Sequence, residues 1–378
     1  MSRKKSAWRA SMPAAASLLL SLILSTAAHA ETGVTDKEIL LGQSAAFSGP
    51  AEELGREMNA GAEAYFKKIN DEGGINGRKI RLKKLDDGYE PERAAKNTQE
   101  LIEKDGVFAL FGYVGTPTSL AAMPIFTKAK VPFFAPFTGA EALRDPFTRE
   151  IFNIRASYYM ETDKIISSLP VKKIAVFYQN DAYGKTGLEG VTRALKKTGG
   201  APIATGTVER NSIDVDKAIA AIEPSKPDAI VMICAYKSCA EFIRKMKKKA
   251  PGITFWNVSF VGSNALSKEL GSDGPGVRIS QVVPFPWVNA DPIASDHAKA
   301  LGTAGSFTTM EGYIAARVFV EGLRKAGRNL TRDSFIAALE NAGKLDIGGF
   351  EVKFSPTNHN GSTFVDTTII KNDGKFMH

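Results

Sequence analysis

Cysteine and histidine are scarce. The chain of 378 residues holds 2 cysteines and 4 histidines, and His297, His359 and His378 lie far apart, well beyond the first thirty residues. Neither HExxH nor a paired CxxC occurs, so no zinc-ligand set is present and no metal is expected. The GxSxG elbow of the α/β hydrolases is missing. No GxxxxGK(S/T) or GxGxxG follows a strand, which removes the usual phosphate cradles and with them an expected cofactor. Asp86-Asp87 is an acidic pair at a strand end, where a turn former or cap is the simpler reading than a catalytic pair. Binding without chemistry accounts for the sequence better than an enzyme does.

Long apolar runs are also lacking. The leading one extends from Ala14 to Leu24, short of the roughly 20 apolar residues of a helical membrane span. Arg3, Lys4, Lys5 and Arg9 flank it, no acid occurs before Glu31, and Ala28-His29-Ala30 closes it. That pattern predicts a signal peptide over residues 1–30, cleaved after Ala30; an uncleaved anchor is the alternative. No cysteine lies near the cut, so no lipid anchor is expected there. The whole chain carries 49 Lys and Arg against 41 Asp and Glu. Without the four leader cations the surplus shrinks to 45 against 41. So mild a surplus gives no indication of a nucleic-acid partner, and Lys245 to Lys249 read as a solvated helix end. For an exported chain, Cys234 and Cys239 meet an oxidising compartment. Their spacing leaves a disulfide and two buried thiols both open.

Strands and helices alternate through the remainder, at a length suited to two domains. Residues 39–42 predict a short strand, followed by a helix with Met58, Ala62, Phe66 and Ile69 on one face, ending at Gly73-Gly74. Ile80 and Leu82 mark a strand with one wet face. Pro91 opens a helix that carries Leu101 and Ile102. Residues 107–111 and 131–135 are near-continuous apolar strands. After Arg155 the rhythm restarts, with strands predicted at 174–177, 202–208, 229–233 and 255–261 and helices around 188–195, 215–222 and 242–246. Three more helices are predicted beyond Val282. This pattern predicts an α/β protein: two doubly wound Rossmann-like lobes, each a parallel sheet covered on both faces, joined by hinge crossovers. Residues 31–156 and 284–361 are assigned to the N-terminal lobe, 157–283 and 362–378 to the C-terminal lobe.

Ligands of such sheets bind beyond the carboxyl ends of the strands. The loops to watch are therefore Gly112 to Ser119, Pro136 to Gly139, Gln179 to Gly184, Ala235-Tyr236 and Gly262 to Asn264. They supply hydroxyls, amides, tyrosines and a phenylalanine. Thr116 precedes a helical stretch, where free N–H groups favour an anion; capping that helix is its plainer role.

Ser48-Gly49-Pro50 with Gly55, Gly61-Ala62-Glu63-Ala64, Asn70 to Gly77, Leu85-Asp86-Asp87, Asp181 to Gly184 and Glu311-Gly312-Tyr313 are spread over the whole chain past the leader. In these segments it resembles the leucine/isoleucine/valine-binding family of ABC-transporter receptors. The resemblance implies a type I periplasmic binding fold and a monomer in the periplasm. It implies a small-molecule solute held between the lobes, a membrane permease of an ABC transporter as partner, no cofactor and no catalysis. A periplasmic sensor feeding a signalling partner is the alternative. Carried over by position, Thr116 serves the ligand carboxylate, Phe137, Thr138 and Gly139 its amino and carboxylate groups, and Tyr183 and Tyr236 are aromatic contacts. Asn264 falls where the family has an acid for the ligand ammonium. Arg155 reads as an ion partner near the hinge.

The departures from the family pattern bear on the cargo. A buried ammonium without a carboxylate loses a charge-assisted hydrogen bond, roughly 1.5–3 kcal/mol, and its desolvation goes uncompensated. Gly139 stands where amino-acid binders often have threonine, and Phe137 is larger than its counterpart there. The expected ligand is accordingly a carboxylate, an amide or an aromatic compound; Glu141 is the other acid able to fill the missing role. The family's N-lobe disulfide is absent, its two positions being Tyr89 and Gly115.

Overall fold

The computed structural model describes residues 31–378 other than Lys172 and Asn289; the leader and its cut after Ala30 fall outside the described residues. The chain opens with β1 (Glu38–Ala45), α1 (Glu52–Asp71), β2 (Lys79–Asp86), α2 (Pro91–Gln99), β3 (Ala109–Phe111), α3 (Thr116–Ala129), β4 (Phe133–Phe134) and β5 (Ile151–Phe152). Their strands form one parallel sheet in the order β2-β1-β3-β4-β5. The stripe that predicted α1 is its packed face, with Met58, Ala62, Phe66 and Ile69 all buried.

A second α/β unit follows: α4 (Tyr158–Ser168), β6 (Ile174–Gln179), α5 (Ala182–Lys196), β7 (Thr205–Val208), α6 (Asp216–Ile222), β8 (Ala229–Ile233), α7 (Tyr236–Lys249), β9 (Thr254–Asn257), α8 (Ser263–Leu270) and β10 (Arg278–Gln281). The chain then returns to the first lobe through α9 (Pro292–Leu301), α10 (Phe307–Ala326) and α11 (Arg332–Glu340). A small hairpin, β11 (Lys344–Asp346) with β12 (Glu351–Lys353), precedes β13 (Asp366–Ile370) and β14 (Phe376–Met377). The second sheet runs β14-β13-β10-β9-β8-β6-β7. It is not parallel throughout, because β13 and β14 add an antiparallel edge.

In each sheet the strand order reverses, at β1 between β2 and β3 and at β6 between β7 and β8. The loops leaving these strands therefore open on a crevice. Helix α10 completes the first lobe. It crosses α1 so closely that a Cβ on Gly61 would collide with the carbonyl of Thr309, and one on Gly312 with that of Met58. Phe319 of α10 and Phe335 of α11 pack edge-on or tilted against Phe134, at 5.1 and 6.1 Å between ring centroids. Each fully buried phenylalanine is worth about 1.5–3 kcal/mol.

One predicted element ends early. The strand expected over 255–261 stops at Asn257, and Ser259–Val261 form a 3-10 turn. Its cause is a buried acid of α4: Glu161 accepts hydrogen bonds from the Ser259 N–H at 2.7 Å and the Ser280 hydroxyl at 2.6 Å. That pull draws the chain out of the sheet.

Cys234 and Cys239 form a disulfide, their Cα atoms 5.7 Å apart, tying the end of β8 to the first turns of α7. The loop it closes is short, so by chain entropy the bond stabilises by only about 2 kcal/mol. A Cys234→Ala/Cys239→Ala double variant should lose about that much unfolding free energy in urea. An unchanged midpoint would mean that this loop is already ordered in the unfolded chain.

Candidate functional site

The first sheet delivers two loops to the crevice. Beyond β3 the chain turns through Gly112 and Gly115, at φ 62° and 101°, and enters α3 at Thr116. Beyond β4 lies Phe137. The loops are stitched together by the Phe137 N–H to the Tyr113 carbonyl at 2.7 Å and the Gly115 N–H to the Phe137 carbonyl at 3.1 Å. As a result the hydroxyls of Thr116 and Thr138 meet at 2.6 Å, both buried. Thr116 therefore does not cap α3; Gly115 occupies the cap position, without a side-chain bond. Thr138 in turn donates to the Tyr158 hydroxyl at 3.2 Å.

Gly139 has a structural reason. The backbone N–H of Tyr158 donates to its carbonyl at 2.8 Å, and a Cβ on residue 139 would run into the Tyr158 backbone and ring. The threonine frequent at this place in amino-acid binders has no room beside Tyr158.

The second lobe contributes aromatic rings. Asp181 caps α5 by accepting from the Tyr183 N–H at 3.0 Å, which fixes Tyr183 at the crevice. Its ring lies 5.2 Å from that of Tyr158 and 4.6 Å from that of Phe260. Phe260 touches the first lobe too, at 5.4 Å from Phe137 and 5.9 Å from Tyr89. Tyr89 covers Gly115, where a Cβ would strike its ring, and accepts a hydrogen bond from Gln179 of the second lobe at 3.2 Å. At the positions where the family carries a disulfide, an aromatic contact thus fills the space. The rim is closed by Asn211 donating to the Gly88 carbonyl and by the Arg210–Glu90 pair at 2.8 Å.

Arg155 lies at the base. Its side chain is wholly buried between Glu161 of α4 at 3.2 Å and Glu311 of α10 at 3.4 Å, and it donates to the Ser259 hydroxyl. The guanidinium sits 4.9 Å from the centroid of Phe137, a cation–π distance. Burial pushes the Glu311 carboxyl up to about 7, against the opposing pull of Arg155 and with the Glu161 charge adding to the rise. The reading of Arg155 as an ion partner near the hinge matches this triad.

Of the residues expected at the site, Thr116, Phe137, Thr138, Gly139 and Tyr183 come together in this buried cluster. Tyr236 begins α7 and faces the start of α1 near Glu53 and Glu52. Asn264 stands apart, partly buried on α8 in a surface recess with Ser267, Lys268 and Gly374. Glu141 accepts from the Tyr159 N–H at 3.3 Å, outside the ring cluster. The sequence reading missed Phe260, Tyr158 and the reach of Tyr89. The sequence signal near Phe260 was the glycine at 262, whose φ of 78° closes the turn that carries Phe260. The acids 86 and 87 serve the loops: Asp86 accepts from the Phe47 and Ser48 N–H groups, and Asp87 from the Ser44 hydroxyl and the Tyr89 N–H. No group of three or more potential metal ligands occurs among the described residues.

Two α/β lobes closing on a buried aromatic and hydroxyl cluster define a solute-binding protein rather than an enzyme. The family model described as periplasmic binding protein matches residues 38–375, and the chain belongs to that family. It is similar to a possible leucine/isoleucine/valine-binding protein from Rhodopirellula baltica, with a TM-score of 0.86 and 34% identity over 92% of this chain and 98% of the other. A substrate-binding periplasmic protein from Ralstonia solanacearum superposes with a TM-score of 0.84 at 31% identity, covering 90% of this chain and 99% of its own. An amino acid binding protein of Pseudomonas aeruginosa is 24% identical over 324 residues, 82% of this chain and 84% of its own.

Proposed function

We propose that this chain is the substrate-binding component of an ABC importer, exported to the periplasm after cleavage behind Ala30 and working as a monomer. It holds a small amino-acid-like, amide or carboxylate/aromatic solute in the cleft and presents its outer faces to a membrane permease. The observation that carries this reading is the cluster itself. The Thr138 hydroxyl, bonded to that of Thr116, donates to Tyr158 of the other lobe, and Phe137 packs on Phe260, which with Tyr158 flanks Tyr183, all buried. The lobes act as 31–156 with 284–361 and 157–283 with 362–378, hinging where the chain crosses between them. Ligand first settles on one lobe, and its added contacts to the other make the closed form dominant.

A thermal-shift screen over amino acids, amides, dicarboxylates and aromatic acids, followed by small-angle scattering, tests the proposal. The expected result is a stabilising solute that also reduces the radius of gyration of the free protein. A protein that no solute stabilises, and whose radius never changes, would contradict it.

A further inference from the structure

We infer that Arg210 and Asn211 latch the second lobe onto residues 88–90 of the first, and so hold part of the solute-free protein closed. They are positioning residues, which strengthen the binding of every solute by one common factor. The latch rests on the closing cleft proposed above, yet its test needs no solute, so the two can fail separately.

Three consecutive residues of the first lobe are each bonded to the second. Asn211 donates to the Gly88 carbonyl at 3.0 Å and to the Glu90 carboxylate at 2.7 Å. Gln179 donates to the Tyr89 hydroxyl at 3.2 Å. Arg210 donates to the second Glu90 oxygen at 2.8 Å, and its other arm lies 3.6 Å from Asp181. Both oxygens of Glu90 are thus held by the opposite lobe.

Each side is built to present these groups. On the first lobe, Asp86 accepts from the Gly88 N–H at 3.0 Å and Asp87 from the Tyr89 N–H at 2.8 Å. Gly88 and Tyr89 take left-handed φ values of 57° and 64°. On the second, Asn180 donates to the Glu209 carboxylate at 2.7 Å and the Ser212 N–H to the Glu209 carbonyl at 3.1 Å. Asn211 within that turn has φ 60°. Asparagine adopts this conformation readily, whereas a bulky residue such as tyrosine is rarely found there. Among the described residues only six other than glycine have positive φ, and two of them sit on opposite sides of this one contact. Backbone held in such shapes persists where its surroundings over-determine it, and it gathers at clamps and switches.

The bonds of Arg210 and Asn211 go to the 88–90 loop and to Asp181, and none reaches Thr116, Phe137, Thr138 or Tyr183. A closed form already populated without solute therefore raises every affinity equally and leaves selectivity alone. The free protein is a mixture of open and closed forms, and a solute shifts the remainder. The Arg210 and Glu90 side chains are 23% and 39% exposed, so their pair contributes modestly. Asn211, with one bond to a carboxylate and one to a carbonyl, contributes more.

Small-angle scattering of the intact exported chain without solute tests the latch, with far-UV circular dichroism as the check on folding. Asn211→Gly suits the left-handed backbone and removes both bonds. It should lower the closed-to-open ratio roughly 10-fold and raise the radius of gyration. Glu90→Ala breaks the contact from the other lobe, and α2 keeps its start because Glu90 makes no side-chain cap bond. It should expand the protein in the same way. The double variant should expand it less than the two single effects combined, as partners in one contact do. One radius for parent and variants, whether compact or expanded, would overturn the latch, and so would strictly additive effects. Either result leaves the binding function to the solute screen, because neither residue touches the ring and hydroxyl cluster.

Discussion

Arg155→Met is expected to lower the unfolding free energy by about 3–5 kcal/mol, the cost of removing one partner from a buried ion pair. The guanidinium joins the lobes, since Glu161 belongs to α4 and Glu311 to α10. Without it two carboxylates face each other in the interior, and the Ser259 turn that presents Phe260 loses one of its two anchors. Ligand-driven closure should disappear with the stability. Adding Glu161→Gln and Glu311→Gln to Arg155→Met should recover part of the loss, because neutral groups cost far less to bury than unpaired charges. Urea unfolding of the single and triple variants measures both effects. A single variant as stable as the parent would show that the triad does not secure the hinge.

The second large effect depends on pH. Burial raises the Glu311 carboxyl from an ordinary value of 4.5 to about 7, so the folded protein binds more protons than the unfolded chain between those two values. Stability from this group is complete below about 4.5 and declines as pH rises through 7, by about 3 kcal/mol in all. Asp87, raised by burial to about 6, acts in the same direction. His297, lowered by burial to about 4, acts in the opposite one. The parent profile sums these contributions and can look flat. The difference between Glu311→Gln and the parent isolates one of them. It should grow in favour of the variant by about 2–3 kcal/mol between pH 5 and pH 8, as followed by urea unfolding at three pH values. A difference that stays constant would mean that Glu311 ionises in the fold as it does in the unfolded chain.

Much of the fold was legible because periodicity reports burial directly. The Met58, Ala62, Phe66 and Ile69 stripe and the apolar block Ala229–Ile233 each correspond to an element buried where the pattern says. The same logic singled out Thr116, Phe137 and Thr138 as candidates, and they do sit just beyond strand ends. What escaped depends on contacts between distant segments. An unbroken apolar run does not reveal where a strand stops, and β9 stops at Asn257 because of Glu161, nearly a hundred positions earlier. Tyr89 gave no sign of reaching Gln179 in the other lobe. Asn264, placed by the family's acidic position, lies in the first turn of α8, after a 3-10 turn that the apolar run did not reveal.

The crossing of α1 by α10 bears on how the molecule assembles. The covers of the first sheet, Phe319 and Phe335, lie beyond every element of the second lobe except its antiparallel edge strands β13 and β14. A chain emerging N-terminus first has β1 to β5 in hand early, yet must hold one face of that sheet uncovered until residues past 335 arrive. The second lobe, contiguous from α4 to β10, waits only for the antiparallel edge that β13 and β14 add. Contacts of long sequence separation form slowly, so the C-terminal lobe should fold first and the N-terminal lobe condense around its own late-arriving helices. Such a delay leaves the early half of the chain without its covers until the last third has been made.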